Sequence, residues 1–156
     1  MKLTCPVFDN GEIIPSLYTC EGKNTNPALE FHDIPPTAKS LVLIIDDPDV
    51  PPEVRPERMY DHWVVYNMPP TTKSIPANTK PPGLQGKNTS GKIGYTGPCP
   101  PDREHRYFFK LYALGTMLDL EAGATKTEVE KAMKGHILAK AQLMGRYEKG
   151  KGYCAG

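Results

Sequence analysis

Leu41-Val42-Leu43-Ile44-Ile45-Asp46-Asp47-Pro48-Asp49 is the stretch on which the fold turns. Five consecutive aliphatic residues with no polar alternation describe a strand covered on both faces, so it belongs in the middle of a sheet. Its carboxylates and proline end it. After a proline-rich loop, Asp61-His62-Trp63-Val64-Val65-Tyr66-Asn67-Met68 begins a second strand. The period of two places His62, Val64 and Tyr66 on one face and Trp63, Val65 and Asn67 on the other. In an antiparallel pair the end of one strand lies beside the start of the next, so Asp47 and His62 are expected to meet.

A third segment repeats the pattern in reverse. Gly97-Pro98-Cys99-Pro100-Pro101 leads into His105-Arg106-Tyr107-Phe108-Phe109, where Tyr107, Phe109 and Leu111 share a face with His105 at the strand entrance. Carboxylates, imidazoles and a phenol gathered at strand ends are what a small polar pocket needs. Proline is the compositional outlier, with 17 among 156 residues and Pro-Pro pairs at 35–36, 51–52, 69–70, 81–82 and 100–101. Each removes backbone donors and keeps the preceding residue out of the helical region, so the chain reads as strands joined by stiff loops through about residue 114.

The tail reads differently. Thr127 followed by Glu128 and Glu130 resembles a capped helix start, and Val129, Met133, Ile137, Ala141 and Met144 recur at helical spacing. This predicts one amphipathic helix to about Tyr147, with Gly135 as its weak point and residues 150–156 frayed. Without an internal repeat or linker, residues 1–156 are expected to form one domain.

The 19 basic and 18 acidic residues give a net charge of +1 with no long block of either sign, which argues against nucleic acid or an anionic membrane as partner. The first residues lack the apolar core of a secretory signal, and the aliphatic run 41–45 is far short of the ~20 residues of a membrane span. A soluble, cytoplasmic protein without a transmembrane segment is expected. Cys5, Cys20, Cys99 and Cys154 form no C-x-x-C pair, and a cytoplasmic setting predicts free structural thiols rather than a disulfide. An extracellular location would reverse that expectation. No histidine pair has metal-ligand spacing, and no cofactor motif or nucleophile elbow appears. No catalytic residue is assigned. The D-x-D pattern in Asp46-Asp47-Pro48-Asp49 matches an aspartate-based phosphoryl transferase only in isolation, because such enzymes need a parallel α/β sheet. Acid and base chemistry by Asp47 with His62 stays open.

Taken together, Asp46-Asp47-Pro48-Asp49-Val50-Pro51, Asp61-His62-Trp63-Val64-Val65-Tyr66-Asn67-Met68-Pro69 and Gly97-Pro98-Cys99-Pro100-Pro101 with His105-Arg106-Tyr107 resemble the phosphatidylethanolamine-binding protein family, also called the Raf kinase inhibitor family. The likeness is to its prokaryotic branch, and Tyr18-Thr19-Cys20-Glu21-Gly22, Leu111-Tyr112-Ala113-Leu114 and Gly135-His136-Ile137-Leu138 extend it over nearly the whole chain. The resemblance implies a mainly β fold: a large central antiparallel β-sheet packed with a smaller sheet and a C-terminal helix. It also implies a small anion pocket at Asp47, His62, Gly97, Pro98, His105 and Tyr107, with Asp49 and Tyr60 as further wall candidates. In that reading Asp47 orients His62 or shares a proton with the ligand, and His62, Tyr107 and the loop amides near Gly97 donate to the anion.

This chain departs from the family pattern at Asp102-Arg103-Glu104, charged where many members carry glycine, and at Gly115, where aspartate is common in the prokaryotic branch. The first departure predicts a differently charged rim. The function expected is a regulatory module that binds a small anion or phosphorylated ligand. Inhibition of a kinase or protease through the Pro51–Pro56 or Pro81–Gly86 loop is the alternative, an Asp/His hydrolase a weaker one, and homodimers are common in the branch.

Overall fold

A computed structural model of the chain describes residues 1–150. The fraying expected beyond Gly150 and the thiol expected at Cys154 fall outside the described residues. In chain order the elements are β1 (Lys2–Thr4), β2 (Leu29–His32), β3 (Ser40–Asp47), β4 (Tyr60–Met68), β5 (Ser74–Ile75), β6 (Leu84–Gln85), β7 (His105–Leu114), α1 (Lys126–Met133) and β8 (Ile137–Tyr147). They make a three-stranded sheet in the order β1-β2-β5 and a five-stranded sheet in the order β6-β4-β3-β7-β8. Every pairing between these strands is antiparallel.

β3 lies at the centre, and each of its residues is buried. Leu41, Leu43 and Ile45 point toward the small sheet and pack with Leu29, Phe31, Ile75, Trp63, Val65, Phe109 and Leu111. Val42 and Ile44 point the other way, into a second cluster with Val64, Tyr66, Leu114, Val129 and Met133 under α1. The molecule is therefore three layers, small sheet, large sheet and helix, with one apolar core on each side of β3. Burying an aliphatic side chain is worth roughly 1.5–3 kcal/mol, so a run of five without a polar interruption commits this segment to the middle layer.

The long C-terminal helix expected from the periodicity is not formed. α1 stops at Met133, and the remaining half of the pattern is β8, the edge strand of the large sheet. The helix is capped by Thr125 rather than Thr127: the Thr125 hydroxyl accepts from the Glu128 N–H, and the Glu128 carboxylate accepts from the Thr125 N–H in return. The chain leaves the helix through a turn in which Lys134 has φ −57° and ψ 126°, Gly135 has φ +85°, and the His136 N–H donates to the Met133 carbonyl at 2.9 Å. That is a type II turn, whose third position needs φ > 0. Gly135 is a turn residue here, not a weak point inside a helix. Among the described residues no helix is long and apolar enough to cross a membrane.

Candidate functional site

Three strand ends converge at one edge of the large sheet: the last residue of β3, the first of β4 and the first of β7. Asp47 pairs with Tyr60, Asp46 with Asp61 and Ile45 with Trp63, so the register slips between Ile45 and Asp46 and His62 has no opposite residue on β3. This bulge breaks the side-chain alternation. His62, read from the sequence as sharing a face with Val64 and Tyr66, turns to the opposite side. Its ring lies 5.3 Å from that of Tyr107 and 4.6 Å from that of Tyr60, while Val64 and Tyr66 stay in the core under α1.

The cavity formed there has a volume of about 390 Å3. Asp47, Tyr60, His62, Gly97, His105 and Tyr107 all line it, together with Val50, Val54, Arg55, Thr96, Pro100, Pro101 and the Cys20–Cys99 disulfide. Pro98 is buried beside it without lining it, and its carbonyl accepts from the Cys20 N–H at 3.1 Å. Asp49 stands outside, where it accepts the backbone N–H and the guanidinium of Arg106 at 2.8–2.9 Å. The bond from Arg106 holds the Asp49 carboxyl below the usual carboxylate range.

Asp47 does not reach His62 as expected. Its Oδ2 is 2.6 Å from Nδ1 of His105, and Nε2 of His105 is 2.6 Å from Oδ1 of Asp102. Both nitrogens of this imidazole are thereby taken up by carboxylate oxygens, and neither is left to face a ligand. Burial pushes the Asp47 carboxyl up, against the pull of the His105 bond. At Asp102 desolvation acts in the same sense, but the bonds from His105 and the Arg103 backbone outweigh it and the carboxyl is held low. Asp46, one residue earlier, faces the other core, where it pairs with Lys126 at 2.8 Å and Lys110 at 3.0 Å. With Asp46 on the opposite face and Asp49 bonded to Arg106 outside the cavity, Asp47 has no second aspartate of this turn beside it there.

His62 is the opposite case. Its Nδ1 is 2.8 Å from the Thr96 carbonyl, which can only accept, so the ring donates there. Burial is the largest influence on it and pushes its pKa down to about 4, despite that hydrogen bond. The neutral ring then presents the lone pair of Nε2 to the cavity. Nε2 of His62 and the hydroxyl of Tyr107 are both buried with no hydrogen-bond partner. Burial also raises the Tyr107 phenol, so it stays a neutral donor. The expectation that His62 donates to the anion is thus replaced by an acceptor and a donor side by side.

The loop carrying Gly97 offers less than the sequence implied. The Gly97 N–H donates to Oδ1 of Asn24 at 2.7 Å, and that of Thr96 to the His62 carbonyl at 3.0 Å. Gly97 is required because a Cβ there would lie 2.2 Å from the Tyr18 carbonyl oxygen, so the close approach it permits is of the chain to itself. The free-thiol expectation is overturned at Cys20 and Cys99, which are joined, while Cys5 is buried and unpaired. Sequence spacing could not pair two cysteines 79 residues apart. Arg55 and Thr96 carried no motif and were missed. Asp102 stood out only as a departure from a family pattern. Among the described residues no group of three or more histidine, cysteine or acidic side chains is placed to hold a metal ion.

The sequence matches the family described as "Phosphatidylethanolamine-binding protein" over residues 4–148. A UPF0098 protein of Chlamydia trachomatis is 50% identical over 149 residues, covering 96% of this chain and 99% of its own. The crystal structure of the phosphatidylethanolamine-binding protein homolog CT736 from C. trachomatis superposes with a TM-score of 0.93 at 49% identity, over 95% of this chain and 97% of that one. YbcL of Escherichia coli, described as a member of the mammalian family, gives 0.85 at 29% identity over 94% and 97%.

Proposed function

The chain belongs to the phosphatidylethanolamine-binding protein family, and from that membership and the cavity's geometry we propose that it is a binding module for a small anion or a phosphoryl group. The observation that carries the reading is the pair of unpartnered buried atoms, Nε2 of His62 and the Tyr107 hydroxyl, facing one cavity. Leaving a buried polar atom unpaired costs roughly 1–3 kcal/mol, and a ligand that pairs both recovers that cost. A phosphate monoester in its monoanionic form fits the two atoms: its P–OH donates to Nε2, and a phosphoryl oxygen accepts from Tyr107.

This geometry fixes the pH dependence. The second ionisation of a monoester lies near pH 6. Above it the ligand has no proton to offer a neutral His62, so affinity rises as the pH falls through that value. Calorimetric titration of phosphoethanolamine between about pH 5.5 and about pH 8 reads the effect directly. Saturable binding that weakens with rising pH and is lost in Tyr107→Phe and His62→Ala is expected. Binding independent of both residues would refute the site.

A second reading, inhibition of a partner kinase or protease, draws on Val54, which is 56% exposed in the loop at the cavity mouth. Removing that side chain should then weaken inhibition by more than any change in phosphoethanolamine affinity accounts for. Hydrolysis by an Asp47–His62 pair loses its premise, since Asp47 is bonded to His105.

A further inference from the structure

The floor of the cavity is poor in positive charge. His62 is neutral, and both nitrogens of His105 are taken up by Asp47 and Asp102. The neighbouring cations are committed elsewhere: Arg106 to Asp49, Arg103 against Asp102 at 3.7 Å, Lys110 and Lys126 to Asp46. Among the described residues Arg55 is the arginine or lysine that lines the cavity, whereas Arg58 in the same loop lies outside it. Arg55 is half-buried there, with its guanidinium 5.2 Å over the Tyr60 ring, and among the described residues no carboxylate lies within ion-pair distance of it. Its donors are unspent.

Its backbone is held in place. The N–H groups of Val54 and Arg55 both donate to the Pro51 carbonyl at 3.0 Å, and the Arg58 N–H donates to the Arg55 carbonyl at 2.9 Å. Prolines 51, 52 and 56 restrict the same loop. A guanidinium on such a support, stacked on an aromatic face, is suited to a forked contact with an oxyanion. The space between it and the floor is larger than inorganic phosphate fills. At about 390 Å3 it falls within the ~300–1,000 Å3 of sites for organic ligands. Its other walls, Val50, Val54, Pro100 and Pro101, are apolar.

We propose that Arg55 is the residue that neutralises the ligand's charge, and that the apolar walls make the site prefer a phosphate monoester bearing an apolar substituent to inorganic phosphate. The phosphoryl group spans Arg55 and the His62–Tyr107 floor, and the substituent lies along the valine and proline walls. This rests on the phosphoryl reading of the cavity and adds to it the source of the positive charge and the class of ester.

Calorimetric titration of phenyl phosphate and of inorganic phosphate into wild type, Arg55→Gln, Arg55→Lys and Tyr107→Phe tests it. Phenyl phosphate should bind wild type more tightly than inorganic phosphate. Arg55→Gln should weaken phenyl phosphate about tenfold or more and flatten the salt dependence of its Kd, with unchanged thermal unfolding, and Arg55→Lys should recover part of the loss. An Arg55→Gln protein with wild-type affinity, alongside loss in Tyr107→Phe, would overturn the role of Arg55 and leave the anion site standing. Inorganic phosphate binding as tightly as phenyl phosphate would overturn the ester class. No saturable binding of either by wild type would overturn both readings.

Discussion

At the residue scale the two unpartnered atoms of the cavity have opposite consequences for stability. Tyr107 buries a hydroxyl with no hydrogen-bond partner in the protein, so Tyr107→Phe breaks no internal bond and makes no hole. Its urea midpoint should equal or exceed that of wild type, by up to ~1 kcal/mol, even though ligand binding is lost. His62 acts through pH. Its pKa is about 4 in the folded chain against the 6.5 of an ordinary exposed histidine. Between those values the unfolded chain holds more protons, so stability falls as the pH drops from 6.5 to 4 and then levels. The full contribution is about 3 kcal/mol. His62→Asn keeps a donor for the Thr96 carbonyl and removes the titration, so unfolding midpoints compared near neutrality and near pH 4 should show a smaller drop than in wild type. An equal drop would mean that other groups carry it. The sequence named Asp47, Tyr60, His62, Gly97, His105 and Tyr107, and all six line one cavity. Their bonding was not legible, because a single bulge decides which histidine meets Asp47, and no pattern of residue types announces where a register slips.

At the element scale the tail shows why periodicity can mislead. Val129, Met133, Ile137, Ala141 and Met144 satisfy a helical spacing, but Ala139, Ala141, Leu143, Gly145 and Tyr147 satisfy alternation equally well, and these are the β8 residues facing the core between the sheets. A short segment that fits both periods is settled by its neighbours. Here they are a turn glycine and an open edge of β7. Two glycines separate the alternatives. A Cβ on Gly135 would meet nothing within 4 Å, so Gly135→Ala carries only the backbone cost of φ +85°, about 1–2 kcal/mol of destabilisation. In the interior of a helix the same change would stabilise by up to ~1 kcal/mol. The sign of the shift in unfolding midpoint discriminates. Gly145 is constrained by packing instead, since a Cβ would lie 2.5 Å from Ile14 and 2.9 Å from Phe8. Gly145→Ala should destabilise by at least ~1–3 kcal/mol by forcing the N-terminal segment off β8.

For the whole molecule the decisive link is the one that the expected compartment argued against. β3, β4 and β7 assemble through apolar burial that the sequence displays openly, which is why the large sheet was legible. The Cys20–Cys99 disulfide instead ties the segment before β2 to the loop before β7, across 79 residues. Closing so long a loop in the unfolded chain accounts for about 4 kcal/mol of stability in the chain-entropy account. Both cysteines are exposed at the cavity rim, so a reductant reaches them without unfolding. Reduction should lower the urea midpoint by an amount that Cys20→Ser/Cys99→Ser reproduces, and the double variant should then be insensitive to reductant. The fold should survive, because the loop stays docked by the Gly97 N–H on Asn24, the Cys20 N–H on the Pro98 carbonyl and the Tyr95 hydroxyl on the Tyr18 carbonyl. Those bonds hold the backbone beside His62 whether or not the sulfurs are joined. Phosphoester affinity should therefore change little while stability drops, and a parallel collapse of affinity would mean that the disulfide itself, and not the hydrogen-bonded loop, shapes the wall of the site.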